Sequence, residues 1–206
     1  TEWKKYPGNP VLNPGPSGTW DDDQVYATTV LFDGAKYQMW YTGGYDGSHY
    51  KICMPSSADV IVCVKHPDPV LNLGASGAWD DDHVSYPTVL FDGTKYQMWY
   101  SGYDGSNHRI GYATSADGIA WVKHPDNPVL DLGCNGTWDD YYVISPTVLF
   151  DGTKYQMWYS GHDGSNYRIG YATSISPFPV GDVSGNRQVT AYDASLILQY
   201  TVGLID

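Results

Sequence analysis

One stretch of fifteen residues recurs three times in this chain and limits the folds open to it. Residues 147–161 read TVLFDGTKYQMWYSG, residues 88–102 repeat them without a change, and residues 29–43 read TVLFDGAKYQMWYTG. Successive copies lie 59 residues apart. A fixed period of this length is typical of proteins built from tandem structural repeats. The fold is therefore predicted to repeat one unit.

Each unit is predicted to form four antiparallel strands joined by tight turns. Thr-Val-Leu-Phe is rich in β-branched and aromatic residues, and the Asp-Gly after it is a strong hairpin signal because glycine accepts positive φ. In the second unit the next strand, 96–101, leads through a YDGSN turn to strands over 108–115 and 121–124. No helical periodicity occurs in the unit, which predicts an all-β class.

The second strand of each unit is apolar on both faces. Tyr96, Met98 and Tyr100 alternate with Trp99, so a sheet buried on one face alone would leave aromatic side chains in water. Four strands, two apolar faces and tandem copies predict the stacked blades of a β-propeller over residues 1–174. A β-sandwich is the alternative, although it does not require so regular a period.

Composition narrows the function classes. The chain of 206 residues carries a net charge of −12, and 22 of its 23 acidic residues are Asp. Because phosphate backbones and anionic membranes attract basic surfaces, this acidity disfavours nucleic-acid and membrane partners. No apolar run of about 18 residues occurs, so no transmembrane helix is predicted. The chain starts at Thr1 without a signal peptide, which we interpret as a mature form, an expressed segment or a fragment.

Three cysteines are too few for a disulfide framework. Cys53 and Cys63 stand on consecutive predicted strands, where the second unit has Gly111 and Trp121. They are either two buried free thiols or the two halves of a cross-strand bridge. Cys134 has no evident partner in the sequence.

The two ends of the repeat region are incomplete as blades. Residues 1–12, TEWKKYPGNPVL, match the fourth strand and exit loop at 121–130, and residues 3–6 are candidates to supply the fourth strand that the third blade lacks. Propellers usually have four to eight blades. Three units therefore predict a fragment, a six-bladed ring of two chains, or a tightly closed three-bladed ring. We expect uncovered aromatic faces on blades one and three, carrying Tyr37, Met39, Trp40, Tyr155, Met157 and Trp158.

After a proline-containing linker at 175–180, residues 181–206 predict one short helix from Ala194 to a glycine cap at Gly203. Gly-Asp-Val, Val-Thr-Ala and Asp-Ala-Ser-Leu-Ile-Leu-Gln-Tyr make this segment resemble half of a type I dockerin. The resemblance implies an EF-hand-like calcium loop, a cohesin partner and an extracellular or cell-surface assembly that degrades polysaccharides. Arg187 stands where glycine is usual, which predicts weak calcium binding. The implied calcium ligands are Asp182, Ser184, Asn186, the carbonyl of Gln188, and Asp193.

Residues 1–174 resemble the five-bladed propellers of glycoside hydrolase families 32 and 43 and their relatives. Gly-Thr-Trp-Asp-Asp, Pro-Thr-Val-Leu-Phe-Asp-Gly, Tyr-Gln-Met-Trp-Tyr-Ser-Gly and Asn-Pro-Val-Leu carry the resemblance. It implies catalytic acids around the axis at the start of each innermost strand, typically an Asp before Pro, with a Glu as proton donor. Here Ala27, Tyr86 and Ser145 occupy that position, and the blades contain no Glu. Glycoside hydrolysis needs two carboxyl groups, so the pair implied by the family is not matched.

The Asp clusters before the innermost strands are the remaining candidates for acids. Those kept in every copy are predicted to be scaffold carboxylates bonded to backbone amides, namely Asp21, Asp80, Asp139, Asp22, Asp81 and Asp140. Just after these clusters the copies differ from one another, at the predicted mouth of the channel. The residue types found there suit the binding of sugar hydroxyls. Random sequence drift in a surface loop would produce the same variation. The catalytic candidates are Asp23 and Asp82, and the ligand-binding candidates are Asp23, Gln24, Tyr26, Asp82, His83, Tyr86, Tyr141 and Tyr142.

Two functions compete at this point. The missing Glu and the absent Asp before Pro favour a glycan-binding module without activity. The alternative is a glycoside hydrolase that draws its acids from Asp23, Asp82 or their neighbours, or from blades not present here. No nucleophile elbow, P-loop or Cys-x-x-Cys pair is present, and four histidines lack an acidic or cysteine partner at ligand spacing: His49, His66, His108 and His124.

Overall fold

A computed structural model describes residues 1–32, 36–45, 49–54 and 64–174. Every regular element in these ranges is a β-strand, which confirms the all-β prediction. The strands are β1 (Gln24–Phe32), β2 (Tyr37–Tyr45), β3 (His49–Cys53), β4 (His83–Phe91), β5 (Tyr96–Tyr103), β6 (His108–Ser115), β7 (Val122–Lys123), β8 (Tyr142–Phe150), β9 (Tyr155–His162) and β10 (Tyr167–Thr173). The dockerin-like segment and its implied calcium ligands lie outside the described residues, so they stay predictions.

The strands follow one another in the order β1-β2-β3-β4-β5-β6-β8-β9-β10, with β7 on the outer side of β6. The first blade is β1 to β3, the second is β4 to β7, and the third is β8 to β10. Consecutive blades meet through a single parallel pair, Tyr50 with His83 and His108 with Tyr142. This arrangement places the start of each blade's first strand beside the start of the previous blade's third strand.

The chain divides into two compact units. The first unit, 1–148 with 157–171, contains the first two blades and most of the third. The second unit, 149–156 with 172–206, includes in its described part the hairpin between β8 and β9. There the Asp151 carboxylate accepts hydrogen bonds from the backbone N–H groups of Thr153 and Lys154, which closes the turn.

The core lies between the first and second blades. Trp40 of β2 is fully buried, its ring centroid lies 5.7 Å from that of Tyr96, and its indole N–H donates to the carbonyl of Gly118. Gly118 has a φ of 80°, and a Cβ there would lie 3.0 Å from the Trp40 ring, so glycine permits this contact. The second strand of blade two is buried on both faces, as predicted.

The expected uncovered faces are only partly found. Tyr37 and Trp158 are exposed, but Met39, Trp40 and Met157 are buried, so the prediction was wrong for those three. Trp40 is covered because the turn and last strand of the second blade pack on it, with the Trp121 ring centroid 6.2 Å away. The second blade therefore covers one face of the first, and the exposed aromatic side chains of the described residues lie before or within the first and third blades.

Residues 3–6 do not form the fourth strand of the third blade, which corrects the expectation that they supply it. Trp3 is 93% exposed and no strand is assigned to this segment. Cys53 carries a free, buried thiol, and burial raises its pKa. Because Cys53 is free, the structure favours the alternative of free thiols over a cross-strand bridge to Cys63, which lies outside the described residues.

Candidate functional site

Three non-glycine residues at equivalent positions of the three blades adopt positive φ. Ala27, Tyr86 and Ser145 have φ values of 48°, 52° and 57°. In the first two blades the pairing register shifts at this point, between Tyr26 and Thr29 and between Ser85 and Thr88. Such a bulge turns the side chain of the extra residue out of the strand's alternation. Strained backbone that recurs at one place is typical of a functional surface.

The bulges at Tyr86 and Ser145 are each held by the previous blade. The backbone N–H of Tyr86 donates to the hydroxyl of Thr42 over 3.0 Å, and that of Ser145 donates to the hydroxyl of Ser101 over 2.9 Å. Thr42 and Ser101 are completely buried in the second strands of blades one and two. The bulges are therefore positioned by the packing of one blade on the next.

The bulges surround a small cavity of about 200 Å³. First strands from all three blades line it, which places the propeller axis here. The described residues that line it are Ala27, Thr28, Tyr86, Pro87, Thr88, Ser145, Pro146 and Thr147, and none of them is acidic. The axial position of these three blades therefore offers hydroxyl and apolar groups where the related propellers were expected to carry an acid.

A continuous row of tyrosine and histidine rings crosses the same edge of the blades. We call it the Tyr–His belt. It alternates through Tyr50, His83, Tyr103, His108, Tyr142, His162 and Tyr167, with successive ring centroids 4.3–5.6 Å apart. These residues start the first and third strands and end the second, so antiparallel pairing brings them to one edge.

The belt and the axial cavity are joined through Tyr26. Its ring centroid lies 5.7 Å from that of Tyr50 in the belt and 5.7 Å from that of Tyr86 at the cavity. Gln24 adds a hydrogen bond from its Nε2 to the hydroxyl of Tyr50, over 2.9 Å. The belt, these two residues and the axial bulges form one surface, which we call the mouth site.

Burial favours the uncharged form of four rings of the mouth site, His83, His108, Tyr26 and Tyr86. Burial lowers the pKa of His83, although Asp82 partly opposes this, and burial together with the neighbouring His83 lowers the pKa of His108 to about 4. Burial raises the pKa of Tyr26 and of Tyr86. The surface therefore presents neutral hydroxyl and imidazole groups, which both donate and accept hydrogen bonds.

Asp82 lies at the junction of the first two blades. Its Oδ2 is 3.0 Å from Nδ1 of His83, without the alignment of a hydrogen bond, and its Oδ1 is 3.7 Å from Nε2 of His49. Asp23 is exposed and contacts Gln24, whose Nε2 is 3.4 Å from its Oδ2. Asp23 and Asp82 make no described contact with each other, and their action as a catalytic pair stays a prediction.

The other predicted ligand-binding residues fall on or beside the mouth site. Tyr142 and His83 belong to the Tyr–His belt, and the exposed Tyr141 stacks beside Tyr142 at a centroid distance of 4.3 Å. Most of the belt was not predicted from the sequence, and no role was predicted for His49 or His108. The missed residues open the third strands or close the second strands of successive units, and a comparison of those positions between repeats would have found them.

The conserved Asp clusters divide into two structural roles. Asp22, Asp81 and Asp140 each accept a hydrogen bond of 2.6 Å from a turn glycine N–H, as predicted. The prediction was wrong for the side-chain partners of Asp21, Asp80 and Asp139. These buried carboxylates accept from tyrosine hydroxyls of the second strand, and two of them also pair with lysines.

Comparisons with known proteins agree with this fold. No protein-family model matches the chain. Two uncharacterised proteins of Mycobacterium tuberculosis, from strains CDC 1551 and H37Rv, are 30% identical over 184 residues, which cover 82% of this chain and 58% of each relative. The chain thus spans little more than half the length of these relatives.

Solved structures of glycoside hydrolases share the architecture. A family 117 glycoside hydrolase of Zobellia galactanivorans superposes with a TM-score of 0.64 at 16% identity, covering 82% of this chain and 57% of that one. A thermostable family 43 glycoside hydrolase gives a TM-score of 0.59 at 20% identity, covering 80% of this chain and 56% of that one. At these identities the likeness establishes a fold shared with propeller glycoside hydrolases.

Within the described ranges, no group of three His, Cys, Asp or Glu side chains is arranged to hold a metal ion. The same part of the chain contains no helix long and apolar enough to cross a membrane.

Proposed function

We propose that this propeller binds a neutral carbohydrate at the mouth site. The observation that carries the proposal is the Tyr–His belt, a row of tyrosine and histidine rings that leads through Tyr26 to the axial cavity. Sugar hydroxyls need partners that both donate and accept, and tyrosine hydroxyls and neutral imidazoles do so. The fold shared with glycoside hydrolases supports the same class of ligand.

Binding without hydrolysis is the version that the site favours. Hydrolysis needs two carboxyl groups about 5 Å apart for retention or about 6.5–9.5 Å apart for inversion. The three axial residues are Ala27, Tyr86 and Ser145, and Asp23 has no described contact with Asp82. The axial position therefore carries no acid, and the candidates Asp23 and Asp82 lie beside the mouth site.

A glycoside hydrolase remains the second candidate because of the surroundings of Asp82. His83 and His49 approach its two carboxylate oxygens, and its side chain is only 31% exposed. A carboxylate held between imidazoles in a cleft is a common feature of acid–base sites. In this version a second acid comes from elsewhere in a longer protein.

The experiment that tests binding starts from an array of neutral gluco-, manno- and galacto-oligosaccharides, followed by calorimetry on the best ligand. Tyr86→Phe and Asp82→Asn should each weaken binding about fivefold to tenfold, the loss expected for one hydrogen bond. Tyr6→Phe and Asp126→Asn are matched controls in exposed loops and should bind like the original chain. No binding to any oligosaccharide would overturn the proposal.

The same preparations discriminate binding from hydrolysis. Aryl glycosides of the sugars that bind are incubated with the chain and with Asp82→Asn, and release of the aryl group is followed. Binding without turnover supports a binding module. Turnover that disappears in Asp82→Asn would instead establish the hydrolase.

The proposal extends to the setting of the protein. Residues 181–206 keep the pattern of half a dockerin, so we propose that calcium orders this segment and that a cohesin is its partner outside the cell. Pull-down with an immobilised cohesin domain, with and without a calcium chelator, tests this part separately from the mouth site. Equal retention in both conditions would contradict it.

A further inference from the structure

The residue that leads into the first strand differs in type between the third blade and the other two. Asp23, Asp82 and Tyr141 hold equivalent positions, each one residue before the first strand of its blade. In all three, the backbone N–H donates to a carbonyl of the second strand of the same blade, over 3.0–3.1 Å. Because this hydrogen bond forms with aspartate and with tyrosine, the fold does not require an aromatic side chain at Tyr141.

Tyr141 is an aromatic residue in a fixed position at the surface. Its N–H donates to the carbonyl of His162, and its own carbonyl accepts a hydrogen bond of 3.2 Å from Nδ2 of Asn107 in the previous blade. Its ring packs on that of Tyr142, at a centroid distance of 4.3 Å, yet the residue is 42% exposed. These contacts come from the second and third blades, as those of Asp82 come from the first and second. Tyr141 therefore lies at a junction between two described blades.

Hydroxyl groups collect beside this ring. A hydrogen bond with the hydroxyl of Tyr141 raises the pKa of Tyr142, and burial and the nearby Tyr103 raise it further. The rings of Tyr103 and Tyr142 lie edge to face, with their centroids 6.4 Å apart. Three tyrosine hydroxyls from two blades therefore meet at this junction. A phenol hydroxyl both donates and accepts hydrogen bonds, as a sugar hydroxyl does.

The junction between the first and second blades has a different character. Asp82 stands there in place of the tyrosine, with its carboxylate oxygens 3.7 Å from Nε2 of His49 and 3.0 Å from Nδ1 of His83. A carboxylate accepts hydrogen bonds from sugar hydroxyls but offers no ring face for stacking. The mouth site is therefore bordered by one acidic junction and one aromatic junction.

Both junctions lie at the same distance from the axial cavity along their strands. Tyr86 and Ser145, which line the cavity, follow Asp82 and Tyr141 by four residues. An extended strand rises about 3.3 Å per residue, so each junction is about 13 Å from the cavity along its strand. The cavity has a volume of about 200 Å³, which suits one sugar ring. A ligand that fills it and also reaches Tyr141 is therefore longer than a single sugar.

We propose that Tyr141 is the platform of a second sugar subsite, and that the ligand of the mouth site is a neutral oligosaccharide rather than a single sugar. This inference rests on the proposed function. One sugar of the ligand occupies the axial cavity, and a later one lays the C–H groups of a ring face on Tyr141, with its hydroxyls at Tyr103 and Tyr142. Tyrosine suits this role because it combines an apolar ring with a polar hydroxyl. The carboxylates of Asp23 and Asp82 repel acidic sugars, which favours a neutral ligand.

The test is calorimetry with a size series of the sugar that binds best, from the monosaccharide upward. Affinity for the original chain should rise with length until a sugar reaches Tyr141, and should then level off. Tyr141→Asp places the residue of the other two blades at this position, so the circular dichroism should stay the same. The variant should bind the longer members about fivefold to tenfold more weakly and the monosaccharide equally well, because only the longer ligands touch the ring.

Two further variants separate stacking from other effects. Tyr141→Phe keeps the ring and should retain most of the gain in affinity with length. Tyr37→Asp makes the same substitution at an exposed tyrosine in the hairpin at the opposite end of the first blade. It should bind every member of the series like the original chain.

The outcomes separate this inference from the proposed function. If no member of the series binds, both fail. If the sugars bind but Tyr141→Asp shows the same gain with length as the original chain, the platform is excluded while the mouth site stands. An equal loss for the monosaccharide and for the longer members would also overturn the inference, since the shortest ligand does not reach Tyr141.

Discussion

The Nζ atom of Lys123 lies 2.6 Å from Oδ2 of Asp80, and this ion pair ties the last strand of the second blade to the loop that enters it. The carboxylate is almost completely buried and also accepts a hydrogen bond from the hydroxyl of Tyr100 over 3.0 Å. Lys65 and Asp21 repeat the pair in the first blade. In each of the first two blades, an ion pair at one buried carboxylate thus ties the outermost segment to the loop that enters the blade.

Because of this ion pair, substitutions of the neighbouring residues Asp80 and Asp81 should lower the free energy of unfolding by different amounts. Asp80→Ala leaves a lysine and a tyrosine hydroxyl without their partner, and the free energy of unfolding should fall by about 3 kcal/mol. Asp81→Ala removes only a turn hydrogen bond to Gly77 and should cost about 1 kcal/mol. Urea unfolding followed by circular dichroism measures both values. Equal losses of stability in the two variants would show that the ion pair of Asp80 does not stabilise the blade.

The axial bulges predict an unusual response to glycine. Ala27 has a φ of 48°, which costs a residue with a Cβ about 1 kcal/mol in steric strain. Ala27→Gly removes this strain, and the gain offsets the destabilising effect of a more flexible unfolded chain. The free energy of unfolding should stay the same or rise slightly. Ala113, a buried residue of β6 without positive φ, is the control, and Ala113→Gly should lower the free energy of unfolding by about 1 kcal/mol. A similar loss at both positions would contradict the strained conformation at Ala27.

The half-buried His108 predicts that stability falls in mild acid. Its imidazole is packed between Tyr103 and Tyr142, with His83 and the ion-paired Asp104 nearby, and burial lowers its pKa to about 4. The unfolded chain takes up this proton near pH 6.5 and the folded chain only near pH 4. Stability is therefore full above pH 6.5 and declines as the pH falls toward 4.

The measurement is the free energy of unfolding at pH 7.5 and at pH 5, where the decline from His108 should be about 2 kcal/mol. The equivalent positions in the other blades are Tyr50 and Tyr167, so His108→Tyr suits the site and should reduce the decline by about 2 kcal/mol, leaving the smaller part that His83 contributes. His124→Tyr, in the outer part of the second blade, is the control and should leave the decline in place. If His108→Tyr keeps the full decline, the titrating group lies elsewhere.

The sequence predicted the strands well because their signal is local and repeated. The Asp-Gly turns and the alternation of β5 depend on neighbouring residues, and both were found where the repeats placed them. The axial bulges were not predicted, because Ala27, Tyr86 and Ser145 are not residue types that favour positive φ. The hydroxyls that hold two of them come from the previous blade, and no local pattern records that contact.

Only some residues of the mouth site were predicted, because the others depend on contacts between blades. Tyr26, His83, Tyr86 and Tyr142 were found because the repeats differ there. Tyr50 was missed because its strand, HYKIC, is shorter than the third strand of the second blade and differs from it in sequence. Its role depends on the parallel contact with His83, which forms only when one blade lies against the next. Trp40 was expected to be uncovered for the same reason, since Gly118 and Trp121 reach it from the following blade.

The dockerin-like segment predicts weak calcium binding by the full chain. Neutral ligands at Ser184 and Asn186 lower the charge of the loop, so the dissociation constant should lie at about 10⁻⁴–10⁻³ M. Calorimetry should show heat of binding that Asp182→Ala removes, while Asp126→Ala, in an exposed loop of the propeller, leaves it unchanged. Binding that survives Asp182→Ala would exclude this loop as the site.

The central claim is that a carbohydrate binds at the mouth site, and hydrogen–deuterium exchange with the best oligosaccharide from the array tests it most directly. Saturating ligand should slow exchange in peptides over 82–88 and 141–147, which contain the starts of two first strands and the bulges at Tyr86 and Ser145. The turn at 92–95, at the opposite end of the second blade, should be unaffected. Protection at that turn, with none at the two bulges, would contradict the account.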